Sequence, residues 1–405
     1  MKTLSQIAFY VDDRISSNDI DLEQYVTTDS LLQNKEGRTL ATNLPPQPCS
    51  LLKYQIGDIL VANIRPYLRK IWLADSEGGA SNDVLVFRAK EGYTAEYLYS
   101  ILLDDRFFNY VMLAPTGAKM PRGEKTHIMR YSVFDIGDNA VSVGNFVSTI
   151  YKKIALNREE NATLEAMAKQ LYEYWFVQFD FPDANGNPYK SSGGKMVWNE
   201  KLKREIPEGW EVKTVNQLCN SQRGVSFDAS QTTEDGILIL RGNNIKDNHL
   251  VYDNNTVYVP SELVSDAQRI KKNDIIMTMS SGSKEHIGKC MMFHYDSAHS
   301  YGAFMNRFRP KDCYAHYVFL FMISPFFKAL IKSKCGGTGI NNLTNKTFDD
   351  IVLPCPSDNL IMDFDTKVSS LFEKIGSNEL EITELTNLRD FLLPLLMNGQ
   401  VSIKE

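Results

Sequence analysis

Two long heptad seams, one in the middle of the chain and one near its end, constrain the fold more than any other feature. From Val147 to Phe181 the sequence has neither glycine nor proline, and mostly apolar residues recur at alternating steps of four and three, the spacing of a coiled-coil seam. The pattern returns near the C-terminus at one constant offset, so that Asn157 corresponds to Asn378. Such a seam requires a partner, and thirty residues of helix make a rod of roughly 45 Å. The sequence therefore predicts two long helices that pair.

Each seam carries an asparagine at the equivalent place. A buried Asn weakens a helix pair but fixes its register, because a slipped partner would leave the amide without a hydrogen bond. The alternative is two unrelated amphipathic helices whose asparagines coincide by chance. Arg389 is the one clear mismatch. The predicted interface consists of Ile150, Ile154, Asn157, Leu164, Leu171, Trp175, Leu371, Ile375, Asn378, Leu385, Leu392 and Leu396.

Short motifs outside the helices also recur in the same order in both halves. Lys2–Ile7 is echoed by Lys213–Leu218, and Ile56–Leu60 is echoed by Lys272–Ile276. The matches keep a nearly constant offset, as a duplication with small changes in loop length would produce. The chain is therefore predicted to alternate globular domain, long helix, globular domain, long helix.

Within each globular domain the signals are mostly short buried strands, such as Asp58–Ala62 and Asp274–Met277, bounded by Gly, Asn or Asp. Helices are predicted at Ala95–Leu103 and Tyr317–Lys332. We therefore predict an α+β fold with two similar domains separated by two long helices. The predicted boundaries are 1–142 for the first globular domain, 143–182 for the central helix, 183–357 for a linker with the second globular domain, and 358–405 for the C-terminal helix.

Composition and charge exclude several classes of protein. The chain has 405 residues, of which 43% are hydrophobic, which is typical of two or three globular domains. No signal peptide and no apolar stretch long enough for a bilayer is found, so we expect a cytoplasmic protein with reduced cysteines. The net charge of −6 argues at first against nucleic acid. However, the acidic residues concentrate in the long helices, whereas 269–311 and 328–346 are basic, and only the surface that faces phosphates must be positive.

Several fragments imitate catalytic motifs without the residues that the chemistry needs. Asn187-Pro188-Tyr189 lacks the second proline of an amino-methyltransferase pocket and is better explained as a turn. Gly282–Cys290 resembles a phosphate-binding loop, but its glycines are five residues apart and Cys290 stands where Ser or Thr would bind magnesium. The six histidines have no spacing for a metal site or a Ser-His-Asp triad. We expect a non-catalytic chain that binds no cofactor or metal itself.

Basic loops held by Gly and Pro occur in both globular domains and suggest binding. Arg and Lys on such loops can contact phosphates, Arg can read guanine, and Asn can read adenine or simply cap a turn. For any single residue, phosphate contact or turn chemistry is favoured over base readout, and ordinary solvated charge is the alternative. The predicted contact residues are Arg65, Tyr67, Arg69, Lys70, Lys119, Arg122, Lys125, Arg241, Asn243, Lys284, His286, Lys289, Asn341, Asn342 and Lys346.

Four stretches carry a resemblance to a known family. Trp175–Pro182 closes the first long helix, Ile206–Trp210 opens the second globular domain, Gly337–Leu343 forms a late loop, and Leu388–Gly399 closes the second long helix. Together they resemble the specificity subunit of type I restriction-modification enzymes. The resemblance covers the whole chain in the right order, although the Pro-rich entry to the second long helix has no counterpart before the first.

The resemblance implies that each globular domain recognises one half of a split double-stranded DNA target. It also implies that the two long helices form an antiparallel coiled coil that sets the separation of the domains; their length is close to the 34 Å or so of one DNA turn. Two methyltransferase subunits would bring S-adenosylmethionine, and a motor-nuclease subunit, which uses ATP and Mg, would join for cleavage. Trp175, Phe176 and the surface around Leu395 would be buried at a partner or at a helix junction.

Two other functions remain open at this point. A tandem protein-binding scaffold with a coiled-coil spacer would explain the repeat and the net charge, but not the basic loops of the second globular domain. The recognition half of a self-contained modification enzyme would need a methyltransferase core, which we do not find in the sequence.

Overall fold

The computed structural model describes residues 1–117, 119–252, 256–283, 285–334 and 341–403. The chain divides into two compact units. Met1–Glu159 and Leu380–Glu405 form the first unit, and Glu160–Glu379 form the second. Each of the two long helices, Asn139–Tyr172 and Asp358–Met397, therefore contributes a segment to both units. The predicted α+β class with two long helices is confirmed.

The globular part of the first unit contains two four-stranded sheets and short helices. The helices are Leu4–Ile7, Ala95–Leu103, Asp105–Val111 and Lys125–Ile128. One sheet has the spatial order Ala8–Tyr10, Val84–Ala89, Ile59–Ala62, Ile71–Leu73, and the other the order Arg14–Ser16, Ser50–Tyr54, Gly78–Ala80, Tyr25–Val26. Two short pairs complete the unit, Lys2–Thr3 with Ser132–Val133 and Pro115–Thr116 with Arg122–Gly123.

The globular part of the second unit repeats this plan. Its helices are Val215–Leu218, Ala315–Ile323 and Pro325–Lys334. Its four-stranded sheet has the order Cys219–Arg223, Met305–Pro310, Ile275–Thr278, Cys290–Met292, and a three-stranded sheet has the order Tyr258–Val259, Ile237–Leu240, Ser300–Tyr301. The remaining pairs are Met196–Asn199 with Arg204–Pro207, Glu211–Thr214 with Val352–Cys355, Ile245–Lys246 with His249–Leu250, and Ser280–Ser281 with Asn341–Asn342.

The repeat extends to individual hydrogen bonds. The echoed motifs at Lys2–Ile7 and Lys213–Leu218 both form a short helix, and in each the glutamine side chain accepts a hydrogen bond from the backbone of the capping threonine at 2.8 Å. In the sheet that contains Ile59–Ala62, and in the four-stranded sheet of the second unit, a fully buried aspartate immediately before the third strand accepts two hydrogen bonds from an arginine of the second strand. The duplication inferred from sequence is therefore also a structural one.

The first long helix begins earlier and ends earlier than the sequence predicts. It starts at Asn139 and includes Gly144, where a Cβ would lie 2.6 Å from the backbone nitrogen of Tyr97. The close packing of the helix against Tyr97 therefore explains why glycine, which has a poor helix propensity, occurs inside this helix. After Tyr172 the chain forms a π-helical turn, Glu173–Val177, that includes the buried Trp175 and Phe176.

The apolar stretch predicted as a single helix over 317–332 is two helices, because Ser324 leaves the helical conformation and Pro325 starts a new helix. Among the described residues, no single helix is long and apolar enough to cross a membrane. The two helices that meet at Pro325, bent by 66°, pass that test only when taken together, and all residues of the first are buried.

The long helices run antiparallel to each other within each unit. In the second unit, the Phe364 ring lies 5.7 Å from Trp175 and 4.8 Å from Phe176. In the first unit, the Arg389 guanidinium lies 5.0 Å from the centre of the Tyr151 ring. The predicted mismatch at Arg389 is therefore accommodated by a cation–π contact. Of the twelve predicted interface residues, those that are buried are Ile150, Ile154, Asn157, Trp175, Ile375, Asn378 and Leu396, and the others are partly buried.

The two asparagines of the seams occupy equivalent polar networks. In the first unit, Asn157 donates to Glu381 at 2.8 Å, and Lys153 pairs with the same carboxylate at 3.1 Å. In the second unit, Asn378 donates to Glu160 at 2.8 Å, and Lys374 pairs with that carboxylate at 3.3 Å. Asn378 also donates to the buried Asn161. The register of the pair is thus marked by the same Asn-Glu-Lys arrangement twice.

Candidate nucleic-acid interface

In the first unit, the structure brings the two predicted basic loops together. The loop after strand Ile59–Ala62 meets the hairpin formed by Pro115–Thr116 and Arg122–Gly123. The Arg65 backbone N–H donates to the Pro121 carbonyl at 2.8 Å, and Ile64 forms a β-bridge with Arg122. Arg65 and Arg69, with φ of 53° and 52°, flank a 3-10 turn that begins at Pro66. The local chain is therefore a fixed scaffold for its side chains.

The predicted contact residues of this unit differ in the bonds they already make. Arg69 pairs with Asp105 at 3.1 Å, and Arg122 pairs with Asp83 at 2.9 Å. Lys70 donates to the Thr28 carbonyl, and Lys125 lies over the Tyr10 ring. Arg65, Tyr67, Lys119, Arg122 and Lys125 are exposed. Within the part of the chain that the structure describes, Arg65 and Lys119 have no ion pair.

The helical turn at Lys125–Ile128 is held by a carboxylate and an aromatic stack. Glu124 accepts hydrogen bonds from the backbone N–H groups of Thr126 and His127, and these bonds lower the pKa of its carboxyl group. His127 stacks on Tyr110 with 4.2 Å between ring centres and bonds to the Tyr110 carbonyl. Lys125 is thereby presented from an ordered turn instead of a mobile loop.

In the second unit, the equivalent loops meet in the equivalent way. The loop after strand Ile275–Thr278 forms the short strand Ser280–Ser281, which pairs with Asn341–Asn342. The Leu343 backbone N–H donates to the Met279 carbonyl at 2.8 Å. By the offset of the repeat, this pairing corresponds to the contact of Ile64 with Arg122. The fold therefore places a paired loop at the same position in both units.

Side chains on these loops form local bonds. The ammonium group of Lys289 lies 2.9 Å from Nδ1 of His286. Glu285 accepts from Lys332 at 2.8 Å, and this bond lowers the pKa of the carboxyl group. Asn342 and Lys346 are exposed. The predicted Lys284 and the side chain of Asn341 lie outside the described residues, as does most of the family-like loop, 337–340.

Arg241 and Asn243 line an open cleft of about 590 Å³ beside the second loop pair. The neighbouring Asn244 is buried and serves the fold: its side chain accepts from the Arg241 backbone N–H at 2.9 Å and donates to the Val251 carbonyl at 3.0 Å. The turn-capping role that the sequence left open is thus taken by Asn244, while Asn243 is exposed beside the cleft.

Three histidines that sequence spacing left without a role pack against the long helices inside the second unit. His249 lies 3.1 Å from Glu165 and 3.9 Å from Glu379, and these carboxylates, Glu165 first, raise the pKa of His249 to about 10. His316 binds Asp365 at 2.6 Å. The third, His294, is buried, which lowers its pKa.

The contacts of these histidines join parts of the chain that are far apart in sequence. In the sequence, the only local indication of these contacts was that one face of a long helix carries acidic and aromatic residues at heptad spacing. Within the described residues, no group of three His, Cys, Asp or Glu side chains is arranged to hold a metal ion.

Comparison with known proteins gives one consistent family. Residues 207–387 match the model of the type I restriction modification DNA specificity domain. The StySPI specificity subunit of Salmonella potsdam is 35% identical over 158 residues, which are 38% of this chain and 34% of that protein. The chain therefore spans only about a third of the length of this relative. The HindI specificity subunit of Haemophilus influenzae is 23% identical and matches over 98% of each chain.

A solved structure shows the same fold. The S subunit of a type I restriction-modification system from M. genitalium superposes with a TM-score of 0.58 over 98% of this chain and 95% of that one, at 14% sequence identity. Because the sequences differ this much, the likeness concerns the fold and not the residues that contact a ligand.

Proposed function

We propose that this chain, which belongs to the family of type I restriction-modification DNA specificity subunits, recognises a split DNA sequence with one globular domain for each half. The chain contributes recognition and assembly, and the chemistry belongs to its partners. This role agrees with the names of its relatives, which are specificity subunits of type I restriction enzymes.

The observation that carries the proposal is the paired loop at the same position of both units. Ile64 with Arg122 in one unit corresponds to Ser280–Ser281 with Asn341–Asn342 in the other. The scaffolds are alike but the paired residues differ: Arg122 is cationic in the first unit, whereas the paired residues of the second unit are serines and asparagines. Cationic side chains bind phosphates and guanine edges, whereas amides suit adenine. Two similar domains with different reading residues are expected to prefer different half-sites.

The internal bonds of the loops divide the predicted residues into two roles. Arg69 and Lys70 already bind Asp105 and the Thr28 carbonyl, so their first task is to shape the loop. The exposed Arg65, Tyr67, Lys119, Arg122 and Lys125 are the side chains that we expect to touch DNA directly in the first unit. In the second unit we assign this role to Arg241, Asn243, His286, Lys289, Asn342 and Lys346, together with Lys284 and Asn341.

The partners of the complex follow from the family. We propose two methyltransferase subunits, which carry S-adenosylmethionine, and a motor-nuclease subunit that uses ATP and Mg, all in the cytoplasm. An apolar surface for a protein partner is present in the second unit: Phe326 is 61% exposed beside a cleft of about 440 Å³ that Phe176 and Phe321 also line. Trp175 itself is buried inside this unit, where it packs against Phe364 and so stabilises the contact between the two long helices.

The decisive experiment is to map methylated adenines in cells that express the chain with its methyltransferase partner. We expect a bipartite motif with a fixed number of unspecified base pairs between the halves. A continuous motif, or no motif, would contradict the proposal. In vitro, the affinity for DNA should fall steeply with salt, as counterion release requires. The alternative, a protein-binding scaffold, predicts no such dependence.

The length of the long helices is proposed to set the spacing between half-sites. Inserting one heptad at equivalent places of both helices preserves the seam. The variant should methylate a motif with the same two halves and a longer spacer. The matched control is a heptad inserted in one helix only, which breaks the pairing of the Asn-Glu-Lys networks and should abolish methylation. An unchanged spacer in the double insertion would contradict the role of the helices.

A further inference from the structure

The cleft of about 590 Å³ in the second unit has a composition that DNA phosphate contacts do not explain. Its size falls within the ~300–1,000 Å³ range of small-molecule sites. Its lining includes the aromatic residues Phe227 and Phe304 together with the polar residues Arg241, Thr278, Ser280 and His286. None of the described lining residues is Asp or Glu. Such a slot suits a flat, uncharged heterocycle with hydrogen-bonding edges.

Phe304 forms an exposed but rigidly held plate at the mouth of the cleft. Its side chain is 67% exposed, whereas its backbone carbonyl accepts hydrogen bonds from the N–H groups of Met279 and Ser280 at 2.9 and 3.2 Å. The preceding carbonyl, of Ala303, accepts from Arg223 at 3.0 Å. An exposed aromatic ring on a backbone that is held by hydrogen bonds is a ready surface for stacking.

Thr278 supplies a hydroxyl that the protein itself does not use. The residue lines the cleft and is only 2% exposed, yet its Oγ1 has no hydrogen-bond partner among the described residues. A buried unpaired hydroxyl is costly. Gly242 lies against it, and a Cβ there would be 3.3 Å from Oγ1, so the absence of a side chain keeps this side open. The hydroxyl is therefore available to a ligand that enters the cleft.

The first unit has none of these features at the equivalent positions. By the offset of the repeat, Phe304 corresponds to Asp83, which pairs with Arg122, and Thr278 corresponds to the apolar, buried Ala62. The duplicated fold therefore does not require either residue of the second unit. Their joint presence beside the proposed DNA-binding loops points to a ligand that only the second half-site provides.

We propose that this cleft receives a single nucleobase displaced from the stack of the bound DNA, with Phe304 against its face and Thr278 bonded to its edge. The inference rests on the proposed function, since it needs the second unit to be on DNA. Displacing a base costs unstacking energy, which stacking on an aromatic side chain and new edge bonds can offset. Arg241 and the Ser280 hydroxyl also line the cleft, so both hydrogen-bond donors and an acceptor are available to the edge of a base.

The test uses the full chain without methyltransferase, bound to duplexes of its methylated motif with 2-aminopurine at each position of the second half-site in turn. We expect the 2-aminopurine fluorescence to rise on protein binding when the probe occupies one particular position, and at no other position of the second half-site. Phe304→Ala should abolish the rise and weaken binding about 5- to 150-fold, the range of a lost base–aromatic stack. Phe304→Tyr keeps the aromatic ring and should retain both the rise in fluorescence and the affinity for DNA. The matched control is Trp198→Ala, which removes an aromatic residue of the second unit that is 58% exposed and does not line this cleft. It should leave DNA binding unchanged.

Thr278→Val separates ligand binding from folding. It keeps the shape and removes the hydroxyl, so binding should weaken about 2- to 10-fold, as for one hydrogen bond. The melting temperature of the unbound chain should not fall, because that hydroxyl has no partner to lose. A lower melting temperature with unchanged DNA binding would contradict the inference.

The outcomes distinguish this inference from the proposed function. Tight, motif-specific binding with no fluorescent position, and with Phe304→Ala equal to the parent chain, would overturn the base cleft and leave the proposed function intact. Absence of motif-specific binding would overturn both. Titration with dAMP and dTMP forms a further arm: saturable binding of a free nucleotide, without any response in the duplexes, would show a small-molecule site and refute a role in DNA.

Discussion

The two buried aspartates allow one energetic prediction to be tested twice in the same molecule. Asp58 accepts from Arg88 Nε and Nη2 at 2.7 and 2.8 Å and from the backbone N–H of residue 55 at 2.9 Å. Asp274 accepts from Arg309 at 2.7 and 2.7 Å and from the backbone N–H of residue 271 at 2.7 Å. Both aspartates are 0% exposed. We therefore expect Asp58→Asn and Asp274→Asn to have nearly the same cost.

The magnitude follows from what each substitution leaves unpaired. The amide keeps the shape, but its NH₂ group must face a donor, and the ion pair is lost. Removing one partner of a fully buried pair costs about 3–5 kcal/mol. The arginine side chains here are 24% and 33% exposed, so water can solvate part of each guanidinium. We expect each substitution to lower the free energy of unfolding of its own unit by about 2–3 kcal/mol.

The assay is native-state hydrogen exchange read by mass spectrometry, which localises the change. Asp58→Asn should speed exchange in strands Ile59–Ala62 and Val84–Ala89 and leave the second unit unaffected, and Asp274→Asn should do the reverse. The control is Glu200→Gln, which breaks a fully solvated pair with Lys203 and should cost under about 0.5 kcal/mol. The reasoning is refuted if either aspartate variant costs no more than the control, or if the two differ by more than about 1.5 kcal/mol.

Three further predictions concern the loops and the long helices. Replacing the basic side chains at 119, 122 and 125 by Ala should lower the salt slope of DNA binding by about two to three; equal loss of discrimination at both half-sites, in competition binding, would contradict independent domains. Gly376→Ala should destabilise the second unit by about 1–2 kcal/mol, measured by urea unfolding. The new Cβ would lie 2.7 Å from the Cβ of His294, and the cost of this overpacking exceeds the gain in helix propensity. The control is Ser377→Ala, a substitution at the exposed neighbouring position, which should be neutral. His249→Gln should lower the free energy of unfolding by about 1 kcal/mol at pH 6 and by almost nothing at pH 10. Because the pKa of His249 is raised to about 10, its stabilising effect is complete below the ordinary pKa near 6.5 and disappears as pH rises through about 10. The effect is small because the His249 side chain is 42% exposed. A cost that grows with pH would have the wrong sign.

The periodic features of the fold were readable from sequence because they depend on local spacing. The two seams, the equivalence of Asn157 with Asn378, and the echoed strands all follow from residue periods of 3.5 and 2. The π-helical turn at Glu173–Val177 was not predicted, since it depends on which side chains the core has to bury. The helix break at Ser324 was also missed, although Pro325 is a local signal for the start of a new helix.

The features that were missed are contacts between distant parts of the chain. Nothing near Glu160 or Glu381 in sequence shows that each would accept a hydrogen bond from the asparagine of the opposite helix. The role of Phe304 was hidden for another reason. Phe304 has no aromatic counterpart in the first half of the repeat. A difference between two repeated sequences suggests a function only when the structure shows that the residue lines a cleft.

The first unit is built from both ends of the chain, which has a consequence for its synthesis. Its core includes Leu393, Leu396 and Met397 packed with residues such as Val143 and Val147. A ribosome therefore releases the final strip of this core last, after all of Glu160–Glu379 has emerged. The half of the protein that is translated first is completed second, and until then it presents an unfinished apolar surface to chaperones and proteases. A stop codon shortly before Leu393 would therefore destabilise the first unit, whose core contains Leu393, Leu396 and Met397, more than the second unit.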